Sequence, residues 1–338
     1  MKVKEVDPPI FVWWQITHRC NLKCIHCFAY DTFEELSTEE AKSVIDQLSS
    51  IGIVILKITG GEPLIRKDIF ELLKYATSKN LDIILSTNGT LITPKVAEIL
   101  VESGIKNVQV SLESADKSIH EKIRGKGTFD KTVDGIKNLV KNGIEVSVVA
   151  TLMSCNIKEI SKTVDFVYEL GVRKFLTRRL VMYGRARKKW RHLCPQPKQL
   201  VKAYWILKKK SEEYPDMFIK PESQYMFGVD PSLLKEGYAP TCECGKTQCG
   251  IKPDGTVTPC EYVTIPAGNL KKENFLDIWN NAEIFRKFRE LNIEKLKGKC
   301  ATCEFKKICR GGCRASALFE YGDFYAEDPM CWVKNDKL

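Results

Sequence analysis

Three cysteines near the amino end of the chain have the spacing of metal ligands. Cys20, Cys24 and Cys27 lie in the stretch CNLKCIHCF, with the spacing C-x3-C-x2-C. Structural zinc sites and ordinary cubane iron–sulfur clusters take four protein ligands, so three cysteines leave one corner of a cubane without one. An open position on a metal is where a substrate or cofactor binds during catalysis. The spacing therefore predicts a catalytic iron–sulfur cluster, or a zinc site that a distant residue completes.

A second group of cysteines occupies the last hundred residues. Cys300, Cys303, Cys309 and Cys313 have the spacing C-x2-C-x5-C-x3-C and are followed by Cys331; four more precede them, at Cys242, Cys244, Cys249 and Cys260. The chain has fourteen cysteines but only four histidines, which indicates thiolate ligands and favours zinc or iron–sulfur clusters. The region after Cys242 is too irregular to build a large apolar core, so metal coordination is expected to stabilise it. By spacing alone, a pair of zinc sites is the alternative.

The composition is that of an ordinary globular protein, with 338 residues, 43% hydrophobic and 28% charged. The start of the chain has no apolar run typical of a signal peptide, and no stretch of eighteen apolar residues occurs. We therefore expect no membrane segment and a cytoplasmic location, where thiols stay reduced. The formal net charge of +10 fits a lysine-rich solvated surface, an acidic substrate or redox partner, or nucleic acid.

Strand-like and helix-like segments alternate through the first half of the chain. Amphipathic segments predict helices, and one of them opens with a capping box from Ser37 to Glu40. Six apolar, β-branched or aromatic runs predict strands at 11–17, 53–59, 81–87, 107–112, 144–153 and 172–181. Such alternation predicts an α/β fold: a parallel sheet with helices outside, closed into a partial (β/α)6 barrel.

The alternation of strand-like and helix-like segments ends at about residue 185, which predicts a change of domain. A last helix is expected within QPKQLVKAYWILKKKSEEYP, and KPDGTV (252–257) predicts a hairpin turn. We expect the barrel over residues 1–215, a linker over 216–240 and a cysteine-rich domain over 241–338.

Small polar residues follow three successive predicted strands. They lie in TGGEPL (59–64), STNGT (86–90) and SLES (111–114). Taken singly, each segment is typical of a turn or helix cap. The carboxyl ends of parallel strands meet at one rim, however, and the three cysteines follow the first strand. These segments and the cysteines are therefore expected to form one site.

The cysteine triplet followed by GGEP resembles the signature of the radical S-adenosylmethionine (SAM) enzymes, and the resemblance covers essentially the whole chain. It implies a 4Fe–4S cluster on Cys20, Cys24 and Cys27, with SAM bound at the open iron. It also implies reductive cleavage of SAM to a 5′-deoxyadenosyl radical, which abstracts hydrogen from the substrate. The SAM contacts that it implies are His26, Gly60, Gly61, Glu62, Pro63, Ser86, Asn88, Ser111, Glu113 and Arg178. Many relatives carry aspartate–glycine at Glu113–Ser114 and an aromatic residue at His26.

The later cysteines resemble the SPASM extension of radical SAM enzymes, which binds two auxiliary 4Fe–4S clusters in its fully loaded form. Cys249, Gly255 and Cys260 match its first part, although the gap before Gly255 is shorter than in many members. The resemblance implies one cluster on Cys249, Cys260, Cys313 and either Cys244 or Cys242. It implies a second cluster on Cys300, Cys303, Cys309 and Cys331, three clusters in all. Cys155 is then expected to pack in the interior, and Cys194 is a free thiol or a cavity residue.

The resemblance implies two substrate classes. The first is a peptide or protein side chain, modified during maturation of a ribosomal peptide, cofactor precursor or enzyme. The alternative is a tetrapyrrole side chain in haem or haem-like cofactor synthesis, which CIHCF, YGDFYAEDPMC and the basic stretch RRLVMYGRARKKWRH favour. Glu261 matches an acidic residue that sulfatase-maturing relatives use as a base; otherwise it is a solvent-facing carboxylate.

The expected partners follow from this chemistry. An external electron donor such as a ferredoxin or flavodoxin-like protein would reduce the first cluster. The short stretch before Cys20 has no room for a leader-peptide domain, so a peptide substrate would use a separate recognition protein or none. A non-catalytic iron–sulfur electron carrier and a zinc-stabilised RNA-binding protein are alternatives of another class. The GGEP turn counts against both, and neither a membrane nor nucleic acid is an expected partner.

Overall fold

Ten β-strands form one continuous sheet in the computed structural model, which describes residues 6–28, 34–222, 224–235 and 241–333. The strands are β1 (Phe11–Thr17), β2 (Ile55–Gly60), β3 (Asp82–Thr87), β4 (Asn107–Ser111), β5 (Glu145–Leu152), β6 (Lys174–Arg179), β7 (Phe218–Lys220), β8 (Gln248–Ile251), β9 (Thr256–Thr258) and β10 (Gly268–Asn269). Their order across the sheet is β10-β9-β8-β1-β2-β3-β4-β5-β6-β7. All six predicted strands are present as β1 to β6, side by side and parallel. The predicted fold class, a partial barrel, is confirmed.

Helices follow the barrel strands, and those that contribute to the main hydrophobic core cover the outer face of the sheet. The helices are α1 (Thr38–Ser50), α2 (Ile69–Ser78), α3 (Pro94–Glu102), α4 (Lys117–Arg124), α5 (Phe129–Lys141), α6 (Ile160–Glu169), α7 (Gly184–Lys188), α8 (Trp190–Leu193), α9 (Pro197–Glu213), α10 (Ser232–Lys235), α11 (Phe275–Asn281), α12 (Glu283–Arg289), α13 (Lys306–Cys309) and α14 (Arg314–Tyr321). The capping box predicted for α1 is present, with reciprocal hydrogen bonds between Ser37 and Glu40. The short helix α4 was not expected. None of the helices in the described ranges combines the length and the apolar character that crossing a membrane requires.

Alternation along each strand separates the core from the barrel interior. In β1, Val12, Trp14 and Ile16 are at most 1% exposed and pack in the main hydrophobic core with the helices. Trp13 lies between them, and its side chain faces the central cavity instead. This two-residue period gives each strand one apolar face for folding and one face for chemistry.

The cysteine-rich region is joined to the barrel through the sheet. β8 pairs in parallel with β1, so that Val12 lies beside Cys249 and Trp13 beside Gly250. The predicted hairpin at 252–257 is present between β8 and β9, with Gly255 at φ +84°. Within 216–240, β7 extends the other edge of the sheet by pairing with β6, and residues 236–240 lie outside the described residues. The domain boundaries given above stay predictions.

The capping box gives a test of the helical frame. Replacing Ser37 with Ala removes the hydroxyl that accepts the amide hydrogen of Glu40. We expect the free energy of unfolding to fall by about 1 kcal/mol, measured by urea titration with circular dichroism. Ser50→Ala at the other end of α1 removes only a bond to the Gln47 carbonyl and serves as the control. An equal loss in both variants would contradict the capping role.

Candidate active site

A cavity of about 670 Å³ opens at the carboxyl ends of the barrel strands. Its wall includes Cys20, Cys24 and Cys27 from the loop after β1. Eight further residues that the sequence predicted for the site also line it: His26, Gly60, Gly61, Ser86, Asn88, Ser111, Arg178 and Glu261. The fold therefore brings together the segments that follow β1 to β4, together with a residue from the cysteine-rich region.

The glycine turn after β2 packs directly against the start of the cysteine loop. A Cβ on Gly60 would lie 2.2 Å from the Thr17 carbonyl oxygen, and one on Gly61 would lie 2.1 Å from that of Arg19. The amides of Gly61 and Glu62 donate to those same carbonyls, each at 2.8 Å. Gly60 also has φ +136°, a conformation that other residues rarely adopt. Only two glycines allow this contact, which fixes the cysteine loop relative to β2.

Two groups on the protein favour thiolates in the cysteine loop. The amide of Leu22 donates to Cys20 Sγ at 3.4 Å, and Arg124 Nη1 lies 3.9 Å from Cys24 Sγ. Burial raises the pKa of the Cys24 thiol, while the guanidinium of Arg124 lowers it. Three thiols on one cavity wall, an amide donor and a buried cation fit a thiolate-ligated iron–sulfur cluster. Cys20, Cys24 and Cys27 are the residues that could hold it.

Glu62 and Pro63 support the site from behind its wall. The Glu62 carboxylate is fully buried and accepts from Thr87 Oγ1 at 2.8 Å and the Asn88 amide at 2.7 Å. Burial raises the pKa of this carboxyl. Asn88 Nδ2 in turn donates to Asn21 Oδ1 at 2.9 Å, in the cysteine loop. Neither Glu62 nor the buried Pro63 lines the cavity, so both act through the residues that do.

Glu113 is also behind the wall, where it holds Arg124. Its Oε1 accepts from Arg124 Nη2 at 2.6 Å and Nε at 3.0 Å, and its Oε2 accepts from the Thr151 amide at 2.8 Å. Despite burial, the Arg124 charge lowers the pKa of Glu113. Arg124 itself reaches the cavity. Glu113, a predicted cofactor contact, therefore does not line the cavity itself, whereas the Arg124 that it holds does.

His26 lies between these groups as a neutral ring. Burial lowers its pKa to about 4, and its Nε2 is 3.5 Å from Glu113 Oε1. Its Nδ1 is buried without a hydrogen-bond partner among the described residues. A neutral imidazole on the cavity wall offers a flat face to a bound molecule.

The inner part of the cavity is cationic. Lys57 Nζ lies 4.4 Å and the Arg178 guanidinium 5.5 Å from the centre of the Trp13 ring. Lys57 is 4% exposed and donates to Gln109. Burial, and then the Arg178 charge, lower the pKa of Lys57 to about 7, while Glu261 acts in the opposite sense. Two cations beside one aromatic face form a site suited to a flat, anionic group.

Three residues that line the cavity were not predicted from the sequence: Lys57, Arg124 and Trp13. A lysine inside the apolar run IVILKIT is a signal that could have found Lys57, since a buried strand rarely carries a charge. Arg124 ends α4, and no local pattern distinguishes this buried arginine from a solvated one.

Four of the later cysteines share a second, small pocket. Cys300, Cys303, Cys309 and Cys331 line it together with Tyr225, Phe227 and Gly312. Burial raises the pKa of the Cys309 thiol to about 12, and the nearby Cys331 acts in the same direction. These four are the residues that the sequence grouped for the second auxiliary cluster.

A different set of four gathers near the cavity. Cys244 interacts with the side chains of Cys242 and Cys260, and the charge of Cys242 affects the pKa of Cys313. All four belong to one packed cluster. Within the described residues, no three His, Cys, Asp or Glu side chains are arranged to hold a single metal ion.

Cys249, which the sequence assigned to this group, lies elsewhere. It is fully buried in the main core and pairs with Val12, on the face of the sheet that meets the helices. Gly250, the next residue, faces Cys260: a Cβ there would lie 3.0 Å from the Cys260 carbonyl carbon. Side chains alternate along β8, so the Cys249 side chain is directed away from this group of cysteines. The structure brings Cys242 and Cys244 together there instead. Cys155 and Cys194 pack at the edge of a separate apolar cluster around Met153.

Comparison with known proteins gives matches over nearly all of the chain. The model of the radical SAM superfamily matches residues 14–167, and that of the SPASM iron–sulfur cluster-binding domain matches residues 242–304. The chain is 37% identical to the AdoMet-dependent heme synthase of Methanosarcina barkeri, over 99% of each chain. It is 33% identical to the mycofactocin maturase MftC of Mycolicibacterium smegmatis, over 97% of this chain and 84% of that protein.

The fold is also found in a solved structure. That of Streptococcus suis SuiB bound to S-adenosylmethionine covers 97% of this chain and 78% of its own, with a TM-score of 0.80 and 22% identity. The chain thus has a cavity lined by three cysteines and a paired-glycine turn. It is also similar in sequence to these proteins over its full length. The chain belongs to the radical SAM superfamily and is an enzyme of its SPASM subgroup.

Proposed function

We propose that this enzyme modifies the side chains of a tetrapyrrole that carries carboxylates, in haem or haem-like cofactor synthesis. The observation that carries the proposal is the pair of cations, Lys57 and Arg178, beside the face of Trp13 inside the cavity. A flat macrocycle with acidic side chains matches an aromatic surface and two positive charges. Likeness to a protein named AdoMet-dependent heme synthase over the full length supports the same substrate class.

A peptide or protein side chain is the second candidate substrate. The likeness to mycofactocin maturase MftC favours it. Peptide backbones are neutral, so unless the peptide is acidic this reading leaves Lys57 without a role and gives Arg178 only the SAM contact that the resemblance implies. For that reason the tetrapyrrole is placed first, and a separate peptide-recognition protein belongs only to the second candidate.

The residues of the cavity fit SAM and a 4Fe–4S cluster, which together supply a 5′-deoxyadenosyl radical when bound and reduced. In this proposal Cys20, Cys24 and Cys27 hold the cluster. Gly60 and Gly61 present backbone atoms to SAM, and Ser86, Asn88, Ser111 and His26 are its other neighbours. Arg124, fixed by Glu113, is available for an anionic group. A ferredoxin or flavodoxin-like protein is the proposed electron donor.

Glu261 is the proposed proton acceptor in the cavity. It follows Cys260, lines the cavity and interacts with Tyr262. Its negative charge also acts on Lys57. A carboxylate so placed can take a proton from the substrate, or orient Lys57 toward an anion.

The substrate class can be tested with reconstituted enzyme, SAM and dithionite. Given an iron tetrapyrrole that carries propionate side chains, the enzyme is expected to release 5′-deoxyadenosine and change the mass of the tetrapyrrole. Deuterium placed on those side chains should appear in 5′-deoxyadenosine, by mass spectrometry. A tetrapyrrole methyl-esterified at its carboxylates is the matched control and should react at least tenfold more slowly. Equal turnover of acid and ester, or turnover of peptides alone, would contradict the proposal.

Lys57 should make binding of a carboxylate substrate depend on pH. With a pKa of about 7, Lys57 is charged below pH 7 and loses its proton as the pH rises. Because the anion binds the charged form, KM should be constant below pH 7 and rise up to tenfold per pH unit above it. Lys57→Arg keeps a charge throughout and should flatten the profile, whereas Lys57→Met should raise KM below pH 7 and approach the wild-type value well above it. A wild-type KM unchanged between pH 6.5 and 8.5 would refute this role.

We also propose three clusters, with Cys242, Cys244, Cys260 and Cys313 holding the first auxiliary one. Replacing Cys242 or Cys260 with Ala should lower the iron content after anaerobic reconstitution from about twelve to about eight per chain, by the four-iron stoichiometry. Cys249→Ala is the matched control and should retain about twelve, because Cys249 lies in the apolar core. Loss of iron in Cys249→Ala but not in Cys242→Ala would reverse the assignment.

A further inference from the structure

Asp328 is a buried carboxylate in the loop between α14 and the last cysteine. It is 1% exposed. Its Oδ2 accepts from the Tyr225 hydroxyl and, at 2.7 Å, from the Cys313 amide. Its Oδ1 accepts from the Met330 amide at 2.9 Å. These three donors hold the Asp328 side chain in one position.

The backbone of the same residue reaches the other group of cysteines. The Asp328 amide donates to the thiol of Cys300, and the Asp328 carbonyl accepts from the Cys331 amide at 3.1 Å. Cys313 belongs to the proposed first auxiliary cluster, whereas Cys300 and Cys331 belong to the second. One residue therefore contacts ligands of both proposed clusters.

Arg179 connects this carboxylate to the active-site cavity. It lines the cavity, and its Nη1 lies 3.3 Å from the Tyr225 hydroxyl and 3.6 Å from Asp328 Oδ2. The charges of Tyr225, Asp328, Cys313 and Glu222 keep the pKa of Arg179 high despite its burial. Tyr225 also lines the pocket of the four cysteines Cys300, Cys303, Cys309 and Cys331. The chain Arg179–Tyr225–Asp328 thus touches the cavity and both cysteine groups.

We propose that Asp328 and Arg179 form a shared electrostatic link that sets the reduction potentials of both auxiliary clusters together. Neither residue acts on substrate: they are positioning residues that act through the cluster ligands. The inference rests on the proposed cluster ligands and is independent of which substrate the enzyme uses.

The two charges should act in opposite directions. Reduction adds negative charge to a cluster, so a buried anion beside its ligands opposes reduction and a buried cation favours it. The low dielectric of the interior makes both effects larger than at a surface. Removing the Asp328 charge should therefore raise both potentials, and removing the Arg179 charge should lower both.

The experiment uses the full chain with Cys20, Cys24 and Cys27 replaced by Ala, so that only the auxiliary clusters bind. Potentials are measured by redox titration followed by electron paramagnetic resonance, at pH 8 and without substrate. In Asp328→Asn we expect a change of about tenfold in each one-electron reduction equilibrium, an upward shift of about 59 mV. In Arg179→Gln we expect a downward shift of similar size in both clusters.

Asp230→Asn is the matched control. Asp230 is similarly buried and accepts from the Tyr204 hydroxyl at 2.6 Å and Lys208 Nζ at 2.8 Å. Its described hydrogen bonds involve no cysteine, so its variant should leave both potentials unchanged.

Shifts of opposite sign in the Asp328 and Arg179 variants, each affecting both clusters, would support the link. A shift confined to one cluster, shifts of equal sign, or no shift would overturn it. If Asp328→Asn does not retain both clusters, the Arg179→Gln result decides alone. A downward shift in both clusters then supports the link, and any other result overturns it. A parent protein with fewer than eight irons would instead contradict the cluster ligands proposed above.

Discussion

The close contact between two backbone segments is the constraint on which the site depends. The Gly60–Gly61 turn approaches the carbonyls of Thr17 and Arg19 so closely that no side chain fits between them. This contact ties the loop that carries the cysteines to the end of β2, and Glu62 extends it to the end of β3 through the Asn88 amide. Three loops that would otherwise move independently are thereby fixed as one wall. The position of Cys20, Cys24 and Cys27 then follows from the sheet itself.

The sheet also explains how a cysteine-rich region that lacks a large core of its own becomes part of the active site. β8 adds to the barrel beside β1, and the hairpin that follows returns the chain to Cys260, Glu261 and Tyr262 at the cavity. Backbone pairing therefore sets the distance between the cavity and the first auxiliary group of cysteines. This pairing uses main-chain hydrogen bonds, so it tolerates the small side chains of β8 (QCGI). A separate hydrophobic core would not tolerate side chains that small. The sequence divides into a barrel and an appended domain, whereas the sheet runs continuously through both.

Much of the fold could be predicted from local pattern, and much of the site could not. The six strands are long, apolar runs, and the cysteines and glycines that follow them are defined by spacing alone. Spacing assigned Cys249 to the first auxiliary cluster because spacing counts residues along the chain, whereas the side-chain direction depends on where β8 pairs. Arg124 and Asp328 carry no local signal, since their burial results from contacts with residues distant in sequence. The resemblance identified the chemistry, but only tertiary structure shows which charges surround it.

Some of the positive charges in the chain, which has a formal net charge of +10, have defined positions around the cysteines. Burial raises the pKa values of the Cys24 and Cys309 thiols, whereas coordination to a metal favours the thiolate form. An iron–sulfur cluster with its thiolate ligands carries negative charge in a protein interior. Cations that are already in position before the cluster binds stabilise that charge. Arg124 lies beside the first cysteine group and Arg179 near the auxiliary groups, each held by a buried carboxylate. The carboxylates fix the cations in position. The cavity continues this arrangement, since two further cations, Lys57 and Arg178, lie beside the Trp13 ring.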